Sequence, residues 1–423
     1  MDRPKLRDVE IVRVRDGLYA LRDPHRYTEE ILVVQAAALE AISLMDGKRS
    51  TLEVQYEFSR RHGVVLTGDK LTEIIDALDA SGFLEGENFE KRRRGIDEEY
   101  AAAAVRAPAH AGSGYEAEAD KLLARLDGYY RELSGPEDGP AADGETLPLR
   151  GVIAPHIDMR RGSACYARSY AEIRRRNTAR TVVLLGIAHT DTRNRFAFTS
   201  KDYATPLGTL ETDRGSMDRL AAACCFDPFE DEAAHRHEHS LEFQAVFLKH
   251  AFPDPAQIRI IPVLCGVFLP PFYAAGSPAG DPQVSSFISG LRALIADRGP
   301  DILLIAGADL CHIGKRFGGA EPFTEELVSR ARAADLAMLE SVTGMDAEGF
   351  VKFIQKERDK RNVCGTPAIY ALLSALSGSG APDRERLCAR LLSHEMAVDA
   401  EGESAVGFAS VEISGPLPPP VVH

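Results

Sequence analysis

Four short apolar runs, separated by longer stretches with helical spacing, constrain the fold of this chain more than any other feature. The runs are short and apolar enough to be buried strands, and they occupy residues 151–154, 181–187, 259–264 and 301–306. Helical patterns lie between them, for example at 240–251 and 286–296. Strands that alternate with helices predict an α/β domain with a mostly parallel central sheet.

Histidine and aspartate residues, which can bind metals or transfer protons, follow three of these four runs. His156 comes directly after the first run, His189 follows the second, and Asp309 and His312 follow the fourth. Ligands bind at the carboxyl ends of the strands in open α/β sheets. The sequence therefore predicts a functional site that gathers these four side chains at one edge of the sheet.

A further cluster of polar residues, HRHEHSLE at 235–242, stands just before a predicted helix. We expect His235 and His237 to face solvent. His239 and Glu242 lie closest to the helix, and we predict that they belong to the site.

The first 90 residues predict a separate small α+β domain. A hairpin is expected around Asp16-Gly17, followed by a helix at 36–45 and a helix at 50–62 that opens with the capping box S-T-L-E. Thr67 is expected to cap a third helix, and Phe83 and Leu84 suggest a return strand. Helix, helix, helix, strand is the order of a winged helix.

The remaining boundaries follow from composition. The charged and alanine-rich stretch at 91–105 predicts a solvated linker, 106–415 predicts the large α/β domain, and the proline-rich end at 416–423 predicts a disordered tail. A net charge of −14 argues against a nucleic-acid partner. Seven cysteines without regular spacing, no secretory signal and no long apolar run predict a cytoplasmic protein that does not cross a membrane.

The large domain resembles the Memo family, and within it the B proteins of AmmeMemoRadiSam systems. The segments that carry the resemblance occur in family order and read AHAGSGYEAEADKLLARLDGYY, APH, LLGIAH, DYATPLGTLETD, HEHSLEFQ, IIPVLCG, ADLCHIGKRFG and VCGTPAIYALL. The resemblance implies the fold of LigB-type class III extradiol dioxygenases. Two segments depart from the family: Gly114 replaces an aromatic residue, and Asp158 with Arg160 and Arg161 follows APH.

The same resemblance implies a metal centre. His156, His189 and Cys364 correspond to the family's metal ligands, whereas Asp309 and His312 correspond to pocket residues, with His312 as an acid/base. Iron or copper is the expected metal and zinc an alternative, since imidazole suits all three and a thiolate favours softer metals. The structural alternative for Cys364 is a buried small apolar residue. Asp158 could add an oxygen ligand, and the two arginines could pair with an anionic substrate or form a surface salt bridge.

The N-terminal domain is similar to PqqD-like domains, through DGKRS and the helix that ends in GFL. That similarity implies a bound peptide, whereas an unrelated winged helix is the plain alternative. For the whole chain, the resemblance implies a metal-dependent, dioxygenase-like oxidoreductase that acts with a radical SAM protein and with protein A of the same system. The alternatives are a non-catalytic peptide- or partner-binding module that uses a vestigial dioxygenase groove, and a zinc hydrolase, which lacks the usual HExxH spacing.

Overall fold

The computed structural model of the protein describes residues 2–133, 147–254, 256–267, 276–377 and 387–415. The chain divides into two compact units, Met1–Ala103 and Ala104–His423. The tail predicted at 416–423 lies outside the described residues. None of the helices in the described ranges combines the length and the apolar character that a membrane span requires.

The first unit joins an antiparallel sheet to four helices. Its strands are β1 (Glu10–Arg15), β2 (Leu18–Arg22) and β3 (Leu32–Gln35), in the order β1-β2-β3. Its helices are α1 (Ala36–Ser43), α2 (Thr51–His62), α3 (Gly68–Ala80) and α4 (Glu87–Ala102). Gly17 supplies the positive φ of the first hairpin, and the capping box at Ser50 and the cap at Thr67 form as the sequence predicts. Leu84 forms a single bridge with Leu6 instead of a full return strand.

Residues 91–102, which we expected in a solvated linker, are helical and belong to α4. The start of that helix is held in place by the buried side chain of Phe89. Phe89 is buried, with the Arg7 guanidinium 3.6 Å from its ring centroid and the Tyr27 ring edge-on at 5.6 Å. The Lys, Arg, Glu and Ala residues that follow are good helix formers, so the helix continues to Ala102.

The second unit is a three-layer α/β structure. Its strands are β4 (Val105–Arg106), β5 (Leu149–Ala154), β6 (Thr181–Ile187), β7 (Phe196–Phe198), β8 (Asp202–Thr205), β9 (Gly208–Leu210), β10 (Arg259–Cys265), β11 (Ile302–Gly307), β12 (Asp309–Gly314), β13 (Cys388–Asp399) and β14 (Ser404–Ser414). Its helices are α5 (Ala119–Glu132), α6 (Ser163–Arg176), α7 (Arg214–Ala223), α8 (His239–Ala251), α9 (Pro282–Arg298), α10 (Glu325–Thr343), α11 (Ala347–Glu357) and α12 (Thr366–Leu376).

The main sheet has eight strands in the order β12-β14-β5-β11-β6-β10-β7, and β13 pairs with β14. The four predicted strands form its parallel centre, β5-β11-β6-β10. The strands on either side pair antiparallel, so the sheet is mixed, and the expectation of a mostly parallel sheet holds only for its centre. The antiparallel part includes the long hairpin β13–β14, which the sequence patterns did not predict.

The central strands are buried on both faces, and successive residues point to opposite hydrophobic layers. Val183 and Leu185 pack in the layer that contains α9 and α12, whereas Val182 and Leu184 pack in the layer that contains α6 and α8. The two layers leave only the strand ends accessible, and this is where the polar residues predicted from sequence lie.

Candidate metal centre

Three histidines converge beyond the carboxyl ends of the parallel strands. His156 follows β5, His189 follows β6, and His239 is the first residue of α8. One ligand atom from each lies within 4.8 Å of the others. The rings of His189 and His239 stack at 4.7 Å, and the ring of His156 meets that of His189 edge-on at 5.1 Å. We predicted that His239 belongs to the site without counting it among the metal ligands, and the structure places it in the histidine cluster itself.

Close packing of α8 against β6 brings His239 to this position. A side chain at Gly186 would lie 2.6 Å from Ser240 Oγ and 2.7 Å from the Leu241 side chain, so only glycine permits the approach. Ser240 Oγ donates to the Ile187 carbonyl and accepts from the Ile187 amide, which ties the helix start to the strand end. The glycine of LLGIAH therefore has a direct role in building the cluster.

His156 is the most buried of the three histidines. Its side chain is 2% exposed, and its Nδ1 donates to the Gly307 carbonyl at 2.9 Å. That hydrogen bond leaves Nε2 as the nitrogen with a free lone pair. Burial, together with the nearby His189 and His239, lowers the pKa of His156 well below its usual value, so its ring is neutral.

A buried glutamate, Glu238, orients the other two rings. Its carboxylate lies 3.0 Å from His189 Nδ1 and 3.2 Å from His239 Nδ1, and it also accepts the His189 and Ser240 amides. Burial opposes the charged carboxylate, but the two histidines hold the pKa of Glu238 well below its usual value. Sequence analysis missed Glu238, although a glutamate between two histidines at a helix start was a usable signal.

Asp309, at the start of β12, lies beside His156 in an almost fully buried position. Its carboxylate accepts the His156 amide at 2.9 Å and lies 3.7 Å from His156 Nε2. Burial raises the pKa of Asp309 to about 7, although hydrogen bonds from the His156 and Ile157 amides work in the opposite direction. Asp309 thus fixes the loop that carries His156.

Cys364 lies just before α12 and contacts His156. Its Sγ is 3.3 Å from His156 Nε2 and 3.8 Å from the Asp309 carbonyl. Burial raises the pKa of the Cys364 thiol well above its usual value in the absence of a metal. The sulfur is thus next to one of the three histidines, at the distance of a hydrogen bond.

His312 and Glu242, which were also predicted for the site, are not among the three clustered histidines and have different neighbours from each other. His312, on β12, has its Nδ1 3.1 Å from the Leu310 carbonyl and its ring edge-on to Phe317.

Glu242 is fully buried on α8 and holds the segment 109–115. It pairs with Arg106, and it accepts hydrogen bonds from the Ala109 and His110 amides and from the Tyr115 hydroxyl. Its contacts position a loop that carries another histidine, His110, whose ring meets that of His239 edge-on at 5.7 Å. Sequence analysis assigned no role to His110.

The prediction that His235 faces solvent is wrong, whereas His237 is partly exposed. His235 is completely buried, with Nδ1 2.7 Å from the Tyr203 hydroxyl and Nε2 2.9 Å from the Ala197 carbonyl. His237 is half-buried, and its carbonyl lies 2.9 Å from His110 Nε2. A 3-10 turn at Glu232–Arg236 directs the His235 ring inward, which a pattern based on residue type alone does not reveal.

The residues that depart from the family pattern take part in turns and in a salt bridge near the start of the domain. Asp158 is exposed, and its carboxylate accepts the amides of Arg160 and Arg161 in the turn before α6. Arg160 lies 3.5 Å from Glu116 in an exposed salt bridge. The hydrogen atom that replaces a side chain at Gly114 lets the turn close on His110 and Phe243, each about 3.3 Å from where a Cβ would lie.

The fold and the site together define an α/β protein with a histidine cluster at the end of a parallel strand array. A family model described as Memo-like protein matches residues 106–412, and the chain belongs to this family. A MEMO1 family protein of Aquifex aeolicus (strain VF5) is 25% identical over 409 residues, which cover 97% of this chain and 99% of the relative.

Two further relatives differ in how much of this chain they cover. A MEMO1 family protein of Thermus thermophilus is 29% identical over 87% of this chain and 99% of its own length. One of Methanopyrus kandleri is 27% identical over 72% of this chain and 98% of its own length. A match over 97% of the chain must include most of residues 1–103, so the Aquifex relative has a counterpart of the first unit.

Proposed function

We propose that this protein binds a redox-active metal, iron or copper, through His156, His189 and His239, with Cys364 as a thiolate ligand. The convergence of three imidazoles within 4.8 Å carries the proposal. The donor set fits such a metal because Nδ1 of each ring faces an acceptor oxygen, which leaves Nε2 available, and imidazole and thiolate together suit iron, copper and zinc.

The protein's own residues would prepare this site in three ways. The Gly307 carbonyl and Glu238 orient the rings, Asp309 holds the loop of His156, and the Glu242 cluster holds the segment of His110 beside them. A metal bound there would supply Lewis-acid and electron-transfer chemistry. The resemblance to dioxygenases and the lack of the usual HExxH spacing favour a metal-dependent, dioxygenase-like oxidoreductase over a hydrolase.

Metal analysis after anaerobic purification tests the proposal. We expect about one metal ion per chain in the wild type and a large loss in His156→Ala, His189→Ala and His239→Ala. His250→Ala is the matched control, because His250 has a 5% exposed side chain that pairs with Asp127 outside the cluster. A wild type without stoichiometric metal, or equal metal content in all four variants, would contradict the proposal.

We also propose that the chain acts in an AmmeMemoRadiSam-type system, with a radical SAM protein and protein A as partners. The motifs from AHAGSGY to VCGTPAIYALL support this assignment. The first unit would then be the PqqD-like winged helix that binds a peptide, and the Aquifex relative aligns with most of this unit as well. Co-purification with the radical SAM protein of the same genome tests the partnership.

The binding-module alternative has one specific observation in its favour. The first unit exposes a cluster of large apolar residues along α2 and the turn after it, with exposed fractions of 73% for Leu52, 69% for Tyr56 and 79% for Val65. Leu52→Lys with Tyr56→Lys should abolish binding of the radical SAM protein and leave metal content unchanged. Wild-type binding by this double variant would remove the support for the alternative.

A further inference from the structure

We propose that Glu238 is a positioning residue that sets the tautomers of His189 and His239 together, so that both rings present Nε2 to one metal ion. This inference rests on the metal-binding function proposed above and adds to it a residue outside the ligand set. Its basis is the geometry of one carboxylate that is shared by two rings.

The carboxylate is in contact with both rings at once. Glu238 Oε1 lies 3.0 Å from His189 Nδ1 and 3.2 Å from His239 Nδ1, and Oε2 lies 3.1 Å from His189 Nδ1. A carboxylate only accepts hydrogen bonds, so each Nδ1 must carry the proton. In the neutral rings both Nε2 atoms then keep a lone pair, which is the form that a metal ligand requires.

Backbone amides also hold the Glu238 carboxylate in place. Glu238 caps α8 by accepting the Ser240 amide at 2.9 Å, and it accepts the His189 amide at 2.9 Å. Its side chain is 3% exposed. These contacts join the end of β6 to the start of α8, so Glu238 sets the orientation of two rings that come from different elements.

An amide cannot replace this carboxylate. In Glu238→Gln the side chain has one acceptor oxygen and one NH₂ donor, whereas both rings offer a proton at Nδ1. An NH₂ in place of Oε1 faces the His239 Nδ1 proton, and an NH₂ in place of Oε2 faces the His189 Nδ1 proton, so in either orientation one ring must change tautomer or turn away. We expect a fall of about 10- to 100-fold in metal affinity, the usual effect of removing a partner of a ligating histidine.

Histidine tautomers, read by ¹⁵N NMR on the metal-free protein at about pH 8.5, test the assignment independently of metal. In the wild type His189 and His239 should both carry the proton on Nδ1, and in Glu238→Gln at least one should not. Cobalt(II) titration followed by visible absorption gives the affinity. Glu412→Gln is the control, since Glu412 is also a buried carboxylate and pairs with Arg176 and Arg390.

Glu238→Asp provides a second variant if the glutamine form does not fold. It keeps the charge and can keep the helix cap, but draws the carboxylate back from the rings, so the tautomers should again change. Wild-type tautomers and wild-type cobalt affinity in a folded Glu238 variant would overturn the inference. If the wild type binds no metal, the proposed function fails, while the NMR comparison still decides whether Glu238 sets both tautomers.

Discussion

Cys364 Sγ lies 3.3 Å from His156 Nε2, although the two residues are 208 positions apart in the sequence. The contact joins the start of α12 to the end of β5. A sulfur and an imidazole nitrogen with a lone pair at this distance can share one metal ion after a small movement.

Replacement of Cys364 tests its role as a ligand. Cys364→Ser should lower the affinity for cobalt(II) at least tenfold and remove the sulfur-to-metal charge-transfer band, because a hydroxyl is a harder and weaker donor than a thiolate. Absorption spectroscopy during titration measures both effects. Cys225→Ser is the control, since Cys225 is exposed. An unchanged spectrum in Cys364→Ser would leave the three histidines as the ligand set.

Removal of one partner from the buried ion pair between Arg106 and Glu242 should destabilise the protein strongly. Both side chains are 0% exposed, so removal of one partner leaves an uncompensated charge in the core. Glu242→Ala should therefore lower the free energy of unfolding by about 3–5 kcal/mol. Urea denaturation measures this loss. The double variant with Arg106→Met should lose less than the sum of the single variants, and additive losses would argue against the coupling.

The sequence predicts the centre of the fold because the signal there is local. Each of the four buried strands is a short apolar run, and 181–187 matches β6 (Thr181–Ile187) residue for residue. The strand ends then place His156, His189 and Asp309 together, since parallel strands end at one edge. The hairpin β13–β14 escaped prediction because β13 is only partly buried and its residues show no clear alternation.

The remaining parts of the site depend on contacts that no local pattern encodes. One partner of Glu238, His189, is 49 residues away, and the partners of Glu242 are 127 to 136 residues away. Glu242 was predicted for the site because it lies next to the predicted helix, and the structure gives it a role in holding the segment 109–115. Which carboxylate meets which ring is decided by how α8 packs on β6, and only the folded chain contains that information.

His235 should make the protein sensitive to acid. Burial, partly offset by the Ala197 carbonyl, lowers the pKa of His235 to about 3 from 6.5, so the folded state keeps the ring neutral while the unfolded state takes up a proton. The stability that depends on the neutral ring is present above pH 6.5 and is lost as the pH falls toward 3.

The expected loss for His235 follows from the slope of about 1.4 kcal/mol per pH unit below its unfolded pKa. Between pH 7 and pH 5 the free energy of unfolding should fall by about 2 kcal/mol through this residue. Urea denaturation at both pH values should show a smaller fall in His235→Gln than in the wild type. Equal falls would mean that the ring is protonated or solvated in the folded state.

Gly365 should be essential for placing Cys364, for a steric reason alone. Its φ of −66° is accessible to alanine, yet a Cβ would collide with the Asp309 carbonyl oxygen and lie 2.9 Å from the Ala308 Cβ. Gly365→Ala must push the start of α12 away from β12 and carry the Cys364 sulfur away from His156. We expect about 1–3 kcal/mol of destabilisation, as for other overpacked sites.

The metal measurement separates this displacement from a general loss of stability. Gly365→Ala should bind cobalt(II) more weakly than the wild type, under conditions where circular dichroism shows that it is folded. Gly128→Ala is the control, because Gly128 lies in α5 with no atom within 4 Å of the added Cβ and should be neutral or slightly stabilising. If Gly365→Ala keeps wild-type affinity and the charge-transfer band, the sulfur tolerates the displacement, and the close approach at Gly365 serves packing alone.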